Sequence, residues 1–206
     1  MSTINYSDAY LVNNTDGKYF RCDTVKVASG NAGGRLFSVK PTTDAVLPNG
    51  IFGFIGEYVD AEIRELTTPT TALIKSKLPV LIHNPEINYW EISKAQGALG
   101  MYRNRKGQVL RAFPLVELDE ISLSSDYFDM TGKTGDIAKD DIFVLQPNLV
   151  AGTQLKYSAT TPTATDAKCY FKVTKVYNSF IPSFIDGTGT RFPNAYKMID
   201  VELVLA

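Results

Sequence analysis

The chain has 206 residues, 44% of them hydrophobic and 21% charged, and its 21 basic and 22 acidic side chains leave a net charge of -1. This composition excludes an intrinsically disordered chain and supplies apolar material for one good core or two small ones, while the near-neutral balance provides no field to hold a polyanion, so nucleic acid is not expected as a partner. No stretch approaches the roughly 20 apolar residues needed to span a bilayer, and the opening MSTINYSDAYLVNN has neither a basic leader nor an apolar run, so neither a membrane nor a signal peptide is expected.

In chain order, Ser2 to Asp16 carries Tyr6 and Tyr10 among Ser, Asn and Asp without a sustained period, and reads as an extended arm that a partner could order. KYFRCDTVKVA alternates as a strand, with Phe20, Cys22, Val25 and Val27 as inward candidates. After the turn SGNAGGR, the segment RLFSVKP predicts a second strand that Pro41 ends, because proline removes a ladder donor. Pro48-Asn49-Gly50 has turn chemistry. It leads into an apolar strand of Ile51, Phe52, Phe54 and Ile55, interrupted by Gly53 and Gly56, which predict a bulge or a close backbone approach at a barrel corner.

YVDAEIREL fits either a strand or a helical turn, since Tyr58, Ile63 and Leu66 settle no period. Leu78 to Ile82 has the length of a buried strand, and NPEINYWEIS is irregular. Strands are then predicted around Val109–Phe113, around Ile121 and Leu123 after an acidic turn, and in KDDIFVLQPN, the last two as successive barrel strands. AGTQLKYSATTPTATDAK adds one strand and a Thr-rich tip. The clearest alternation is C-terminal: Cys169, Phe171 and Val173 oppose Tyr170, Lys172 and Thr174, and Ile199, Val201, Leu203 and Leu205 oppose Asp200 and Glu202. Each strand therefore has one wet and one dry face. Between the two, Asn178 to Tyr196 reads as a long aromatic loop. The expected fold is mainly β: a small β-barrel body over 18–206, with room for two subdomains, carrying long loops and an extended N-terminal arm over 1–17.

Little in the chain suits catalysis. His83 is the single histidine, so a Ser-His-Asp triad or a His-rich metal site would rest on it alone, and its place at the end of an apolar strand fits a structural role better. The carboxylates Asp119-Glu120, Asp140-Asp141 and Asp126/Asp129 sit in predicted turns, where charge solvates a corner more often than it forms a glycosidase or metal pair. SGNAGGR has glycines but lacks the Gly-Lys-Ser/Thr of a phosphate loop, and a β-like run follows it where a dinucleotide site needs a helix. Cys22 and Cys169 allow at most one disulfide, and two buried thiols are the better expectation. No catalytic, metal-binding or cofactor-binding residue is assigned, no cofactor is expected, and the chain is not expected to be an enzyme.

Contact residues are easier to name. A small barrel would struggle to bury Tyr6 and Tyr10 of the arm, or Phe180, Phe184 and Phe192 of the aromatic loop, and exposed apolar groups of this kind mark partner surfaces. Arg103, Arg105 and Lys106 in YRNRKGQ form the one basic patch, a solvated hairpin tip that could also meet acidic groups of a protein partner. Trp90 beside Tyr89 offers a sugar platform, although a lone Trp among apolar residues more often packs against the body.

The order LPNGIFGFIGEYVDAEIRELTTPTT, PVLIHNPEINYWE, RNRKGQVLRAFPLVELDEISLSSDYF and DDIFVLQPN resembles small virion proteins encoded beside the major capsid protein in tailed phages. Asn49-Gly50, Gly56-Glu57, Pro85-Glu86 and Lys106-Gly107 stand in the order of that group, and the resemblance covers roughly residues 45 to 205. The arm before Lys18 and the aromatic loop after Tyr177 depart from it. The resemblance implies a capsid decoration or cement protein: a β-barrel module made in the host cytoplasm that binds the outer surface of a phage head, bridges major capsid protein subunits and stabilises the shell without catalysis, its arm and aromatic loop being candidate contacts with the capsid or with sister copies in a homo-oligomer. A host-surface or carbohydrate-binding virion module using Trp90 is the alternative.

Overall fold

The structure is a computed structural model that describes residues 20–27, 36–42, 47–84, 104, 107–148, 154–180 and 195–206. Among the described residues lie strands β1 (Cys22–Lys26), β2 (Phe37–Pro41), β3 (Ile51–Tyr58), β4 (Ile63–Thr67), β5 (Val80–Ile82), β6 (Leu110–Pro114), β7 (Glu120–Ser124), β8 (Phe128–Asp129), β9 (Ile142–Leu145), β10 (Leu155–Ser158), β11 (Cys169–Phe180) and β12 (Ala195–Leu205), with one short α-helix, α1 (Thr71–Ser76), and a 3-10 turn at Ser125–Tyr127. The protein is mainly β, as its alternation predicts. Five strands close into a barrel, β2-β4-β3-β5-β6, antiparallel except for the β2–β4 pair. The other seven form a sheet in the order β1-β7-β12-β11-β9-β10-β8, antiparallel except for β10–β8.

Period-2 patterning explains how the two sheets meet. In β3, Ile51 and Ile55 point into the barrel, whereas Phe52 and Phe54 point out of it into the core shared with the seven-stranded sheet. β5 divides the same way, with Val80 and Ile82 inside and Leu81 outside. The barrel lumen is a packed plug of Val39, Leu47, Ile51, Leu66, Val80, Ile82, Leu110 and Ala112, as expected of a barrel too narrow for a channel. On the facing sheet, Ile121, Leu123, Phe143, Phe171, Val173, Ile199, Val201 and Leu203 form the other half of the shared core. Phe52 meets Phe171 there with ring centroids 4.9 Å apart. Each such ring contributes roughly 1.5–3 kcal/mol by leaving water.

Several expectations need correction at this level. Ile121 and Leu123 of β7, and the strand of KDDIFVLQPN, β9, belong to the open sheet and are not barrel strands. Their alternation marked a dry face correctly, but alternation does not say which sheet a strand joins. YVDAEIREL, open between strand and helical turn by sequence, is the end of β3, a turn and most of β4, and residues 70–77 before Leu78 hold α1, capped by Thr70 Oγ1 accepting from Leu73 N–H at 3.3 Å. β11 runs to Phe180 and β12 starts at Ala195, so both ends of the expected aromatic loop are strand. A bulge between Val173 and Lys175 shifts the parity of β11 and turns Val176 back to the dry side.

Gly53 and Gly56 do what the sequence suggests. A Cβ on Gly53 would lie 2.4 Å from Leu66 Cδ1, inside the barrel, so glycine is needed for the close approach. Gly56 lies in the register shift between Ile55 and Tyr58. Replacing Gly53 by alanine should overpack the lumen and lower stability by about 1–3 kcal/mol. Urea denaturation would show this as a lower midpoint at unchanged slope; an unchanged midpoint would mean that Leu66 moves aside freely.

Candidate interaction surface

The groups that could carry chemistry are occupied structurally. His83 is half-buried, its Nε2 lies 3.2 Å from the Cys22 carbonyl, and its ring meets Phe113 edge-on. Burial holds its pKa below the ordinary imidazole value, only partly offset by the hydrogen bond to Cys22 and the charge of Asp23. The unfolded chain therefore binds more protons than the native one between the lowered pKa and 6.5. The His83 contribution to stability is complete above that window and is lost as pH falls through it. Denaturation midpoints at pH 7.5 and 5.5 should differ more for the unaltered chain than for His83→Gln; equal differences would contradict this.

The carboxylates likewise hold turns. Asp119 is buried and its Oδ2 accepts the Val116 N–H at 2.8 Å. Asp141 accepts from Lys133 Nζ at 2.7 Å, both side chains being 12% exposed, and from the Ala138 N–H. Asp140 pairs with Lys172 at 2.8 Å, which lowers its pKa through that hydrogen bond. Hydrogen bonds from Thr131 pull the Asp129 pKa down. Both cysteines are buried and free, and desolvation pushes the Cys169 thiol up to about 12. Among the described residues no group of three His, Cys, Asp or Glu side chains could hold a metal, and no helix is long and apolar enough to cross a membrane. A cavity of about 310 Å³ opens between α1, β9 and the turn after β10, with Ile74, Leu145 and Pro147 among its walls.

One end of the barrel is closed by polar side chains. Asn49 Nδ2 donates to the Asn84 carbonyl at 2.9 Å, and Asn49 Oδ1 accepts from Asn84 N at 3.0 Å and from Asn104 Nδ2 at 3.1 Å. Asn84 Nδ2 donates to Asn104 Oδ1 at 2.7 Å, while its Oδ1 accepts the Arg111 N–H. All three asparagines are buried, and each side-chain oxygen and nitrogen has a partner, as buried amides require. Beside them Gly50 takes φ +84, and a Cβ there would lie 2.8 Å from both Tyr127 Oη and Cys22 Cβ. Tyr127 donates its hydroxyl proton to the Asn49 carbonyl, tying the barrel to the sheet.

The opposite end carries exposed apolar groups. Val59 and Asp60 donate their N–H groups to the Ile63 carbonyl, and Asp60 Oδ1 accepts the Ala61 N–H, so the β3–β4 turn is tightly held. Tyr58 is 66% and Val59 57% exposed. The Arg64 guanidinium sits 4.8 Å from the Tyr58 ring centroid and 5.9 Å from that of Phe37, and its Nε donates to the Gly56 carbonyl at 2.9 Å. A second exposed apolar group, Leu118, 66% exposed with φ 68, sits in the β6–β7 turn, pinned by its N–H to the Leu203 carbonyl.

Of the contact residues named from sequence, only Phe180 is among the described residues. Tyr6, Tyr10, Arg103, Arg105, Lys106, Phe184 and Phe192 lie outside the described residues, as does Trp90, and Phe180 is the last residue of β11. Asn104, between Arg103 and Arg105 in sequence, is itself held at the barrel mouth, its N–H and Nδ2 both donating to the Leu47 carbonyl. Sequence reasoning missed this because the three asparagines are far apart in the chain. It missed the Tyr58–Val59 tip because apolar residues in an aperiodic stretch resemble core. Comparison of the chain with protein-family models, curated proteins and solved structures found no match.

Proposed function

We propose that the chain is a virion structural protein that decorates the outer surface of a tailed-phage head, binding the major capsid protein and stabilising the shell, with no catalytic role. The observation that carries this reading is where the resembling residues fall. Asn49-Gly50 forms the turn that opens β3, Gly56-Glu57 lies at its bulge, and Gly107, with φ +70, precedes β6. The resembling residues that are described lie at turns and at a bulge of the barrel strands, which supports reading the likeness as one of architecture; Pro85-Glu86 and Lys106 lie outside the described residues. The exposed Tyr58–Val59 tip and Leu118 turn support a binding role, since rigid turns that display apolar groups are suited to docking. Repetition over a shell would add avidity to each modest contact. Mass spectrometry of purified virions of the phage that encodes the chain tests this: the protein should be present in a copy number comparable with that of the capsid subunit, and its absence from the particle ends the proposal.

A further inference from the structure

We infer that the β3–β4 hairpin tip is a docking element, and that its partner is a basic protein surface with an apolar recess that receives Tyr58 and Val59. This rests on the functional reading above, which makes that surface part of the capsid shell.

Charge complementarity supplies the argument. Glu57, Asp60 and Glu62 lie at the tip with Arg64 as the cation beside them, while Glu65 sits farther along β4 in register with Lys40 of β2, so residues 57–64 carry two net negative charges on a chain whose total is -1. Arg64 is already engaged, stacked between Phe37 and Tyr58 and bonded to the Gly56 carbonyl. Among the described residues, the ion pairs Arg21–Asp23, Lys133–Asp141, Lys172–Asp140 and Lys197–Asp136 all lie away from these carboxylates. Asp136 and Asp140, both well exposed, each meet a lysine, whereas Glu57, Asp60 and Glu62 at the hairpin, like Glu117 and Asp166 elsewhere, keep their charge toward solvent. Net negative charge beside an exposed tyrosine and valine repels nucleic acid and anionic lipid, and matches lysines and arginines arranged around an apolar pocket. Tyrosine and arginine are also the residue types that dominate interface energetics. The turn's hydrogen bonds hold the tip in place, so little ordering entropy is lost on docking.

The test uses head particles lacking this chain, the purified full chain, and co-sedimentation across a range of salt concentrations. Tyr58 and Val59 are exposed, and so are Glu57 and Glu62, so the variants keep the native fold, which unchanged denaturation midpoints would verify. The double variant Tyr58→Ser, Val59→Ser should weaken binding about tenfold or more. Glu57→Gln with Glu62→Gln should weaken it at low salt and flatten its salt dependence, because screening acts on the charge term. If the unaltered chain binds and both variants bind equally well, the hairpin is not the docking element while the decoration reading stands. Tighter binding by the charge-neutralised variant would mean an acidic partner surface and overturn the inference. Failure of the unaltered chain to bind overturns the decoration reading, and the partner assigned to the hairpin with it.

Discussion

Replacing Gln154 by alanine is expected to lower folding stability by about 3–5 kcal/mol, a large share of what a single domain has. Gln154 is 1% exposed and acts as a substitute strand partner for β3: its Oε1 accepts the Phe52 N–H at 2.9 Å and its Nε2 donates to the Phe52 carbonyl at 2.8 Å. The same Nε2 donates to the Asn148 carbonyl at 2.7 Å. Alanine would leave buried backbone groups of Phe52 without partners in the middle of the shared core, each costing about 1–3 kcal/mol, and would leave a cavity besides. Gln154→Met separates the two effects, because it retains most of the volume and loses only the hydrogen bonds. Equilibrium denaturation should place both variants well below the unaltered chain, with methionine the milder. A loss under about 1 kcal/mol for alanine would show that water takes over the amide's role.

The second large effect is expected at the asparagine closure. Asn84→Leu, close in volume, should cost about 2–5 kcal/mol, because it deprives Asn104 Oδ1 and the Arg111 N–H of buried partners in one stroke. The consequence should also be local. Asn104 is bonded to the Leu47 carbonyl at the barrel mouth, so loosening it should speed limited tryptic cleavage at the basic residues next to it in sequence before the rest of the chain opens. Cleavage there at the same rate as in the unaltered chain, at matched temperature, would mean that Asn104 holds without Asn84.

How far the fold could be read from sequence depended on whether the deciding interaction was local. The alternation of Cys169, Phe171 and Val173, and of Ile199, Val201 and Leu203, marked the dry faces of β11 and β12 correctly, because a period of two follows from strand geometry alone. Pro41 ends β2 as its missing N–H requires, and Gly53 marks a close approach. The placing of β7 and β9 was misread, since their partners, β1 and β12 for one and β10 and β11 for the other, are chosen by contacts distant in sequence. α1 spans six residues, too few to express a helical period, and only Thr70 after Pro69 signals its start.

The candidate surface was less legible. Tyr58 and Val59 are apolar residues whose position at a turn, not their type, puts them in solvent, and the turn depends on Val59, Asp60 and Ile63 backbone bonds that no side-chain pattern reveals. Leu118 shows the same difficulty: nothing in its identity suggests a left-handed backbone, a conformation that glycine or asparagine adopts more readily. The carboxylate pairs were readable because short Asp-rich turns usually serve their own backbone, and Asp119, Asp129 and Asp141 all do so.

The decoration reading meets its most direct test in a cryo-EM map of the phage head. The account predicts density for a β-barrel module at repeating positions on the outer face of the shell, with its β3–β4 hairpin turned toward the capsid subunits. Density for this chain inside the shell or confined to the tail, or a head with no such module at all, would contradict it.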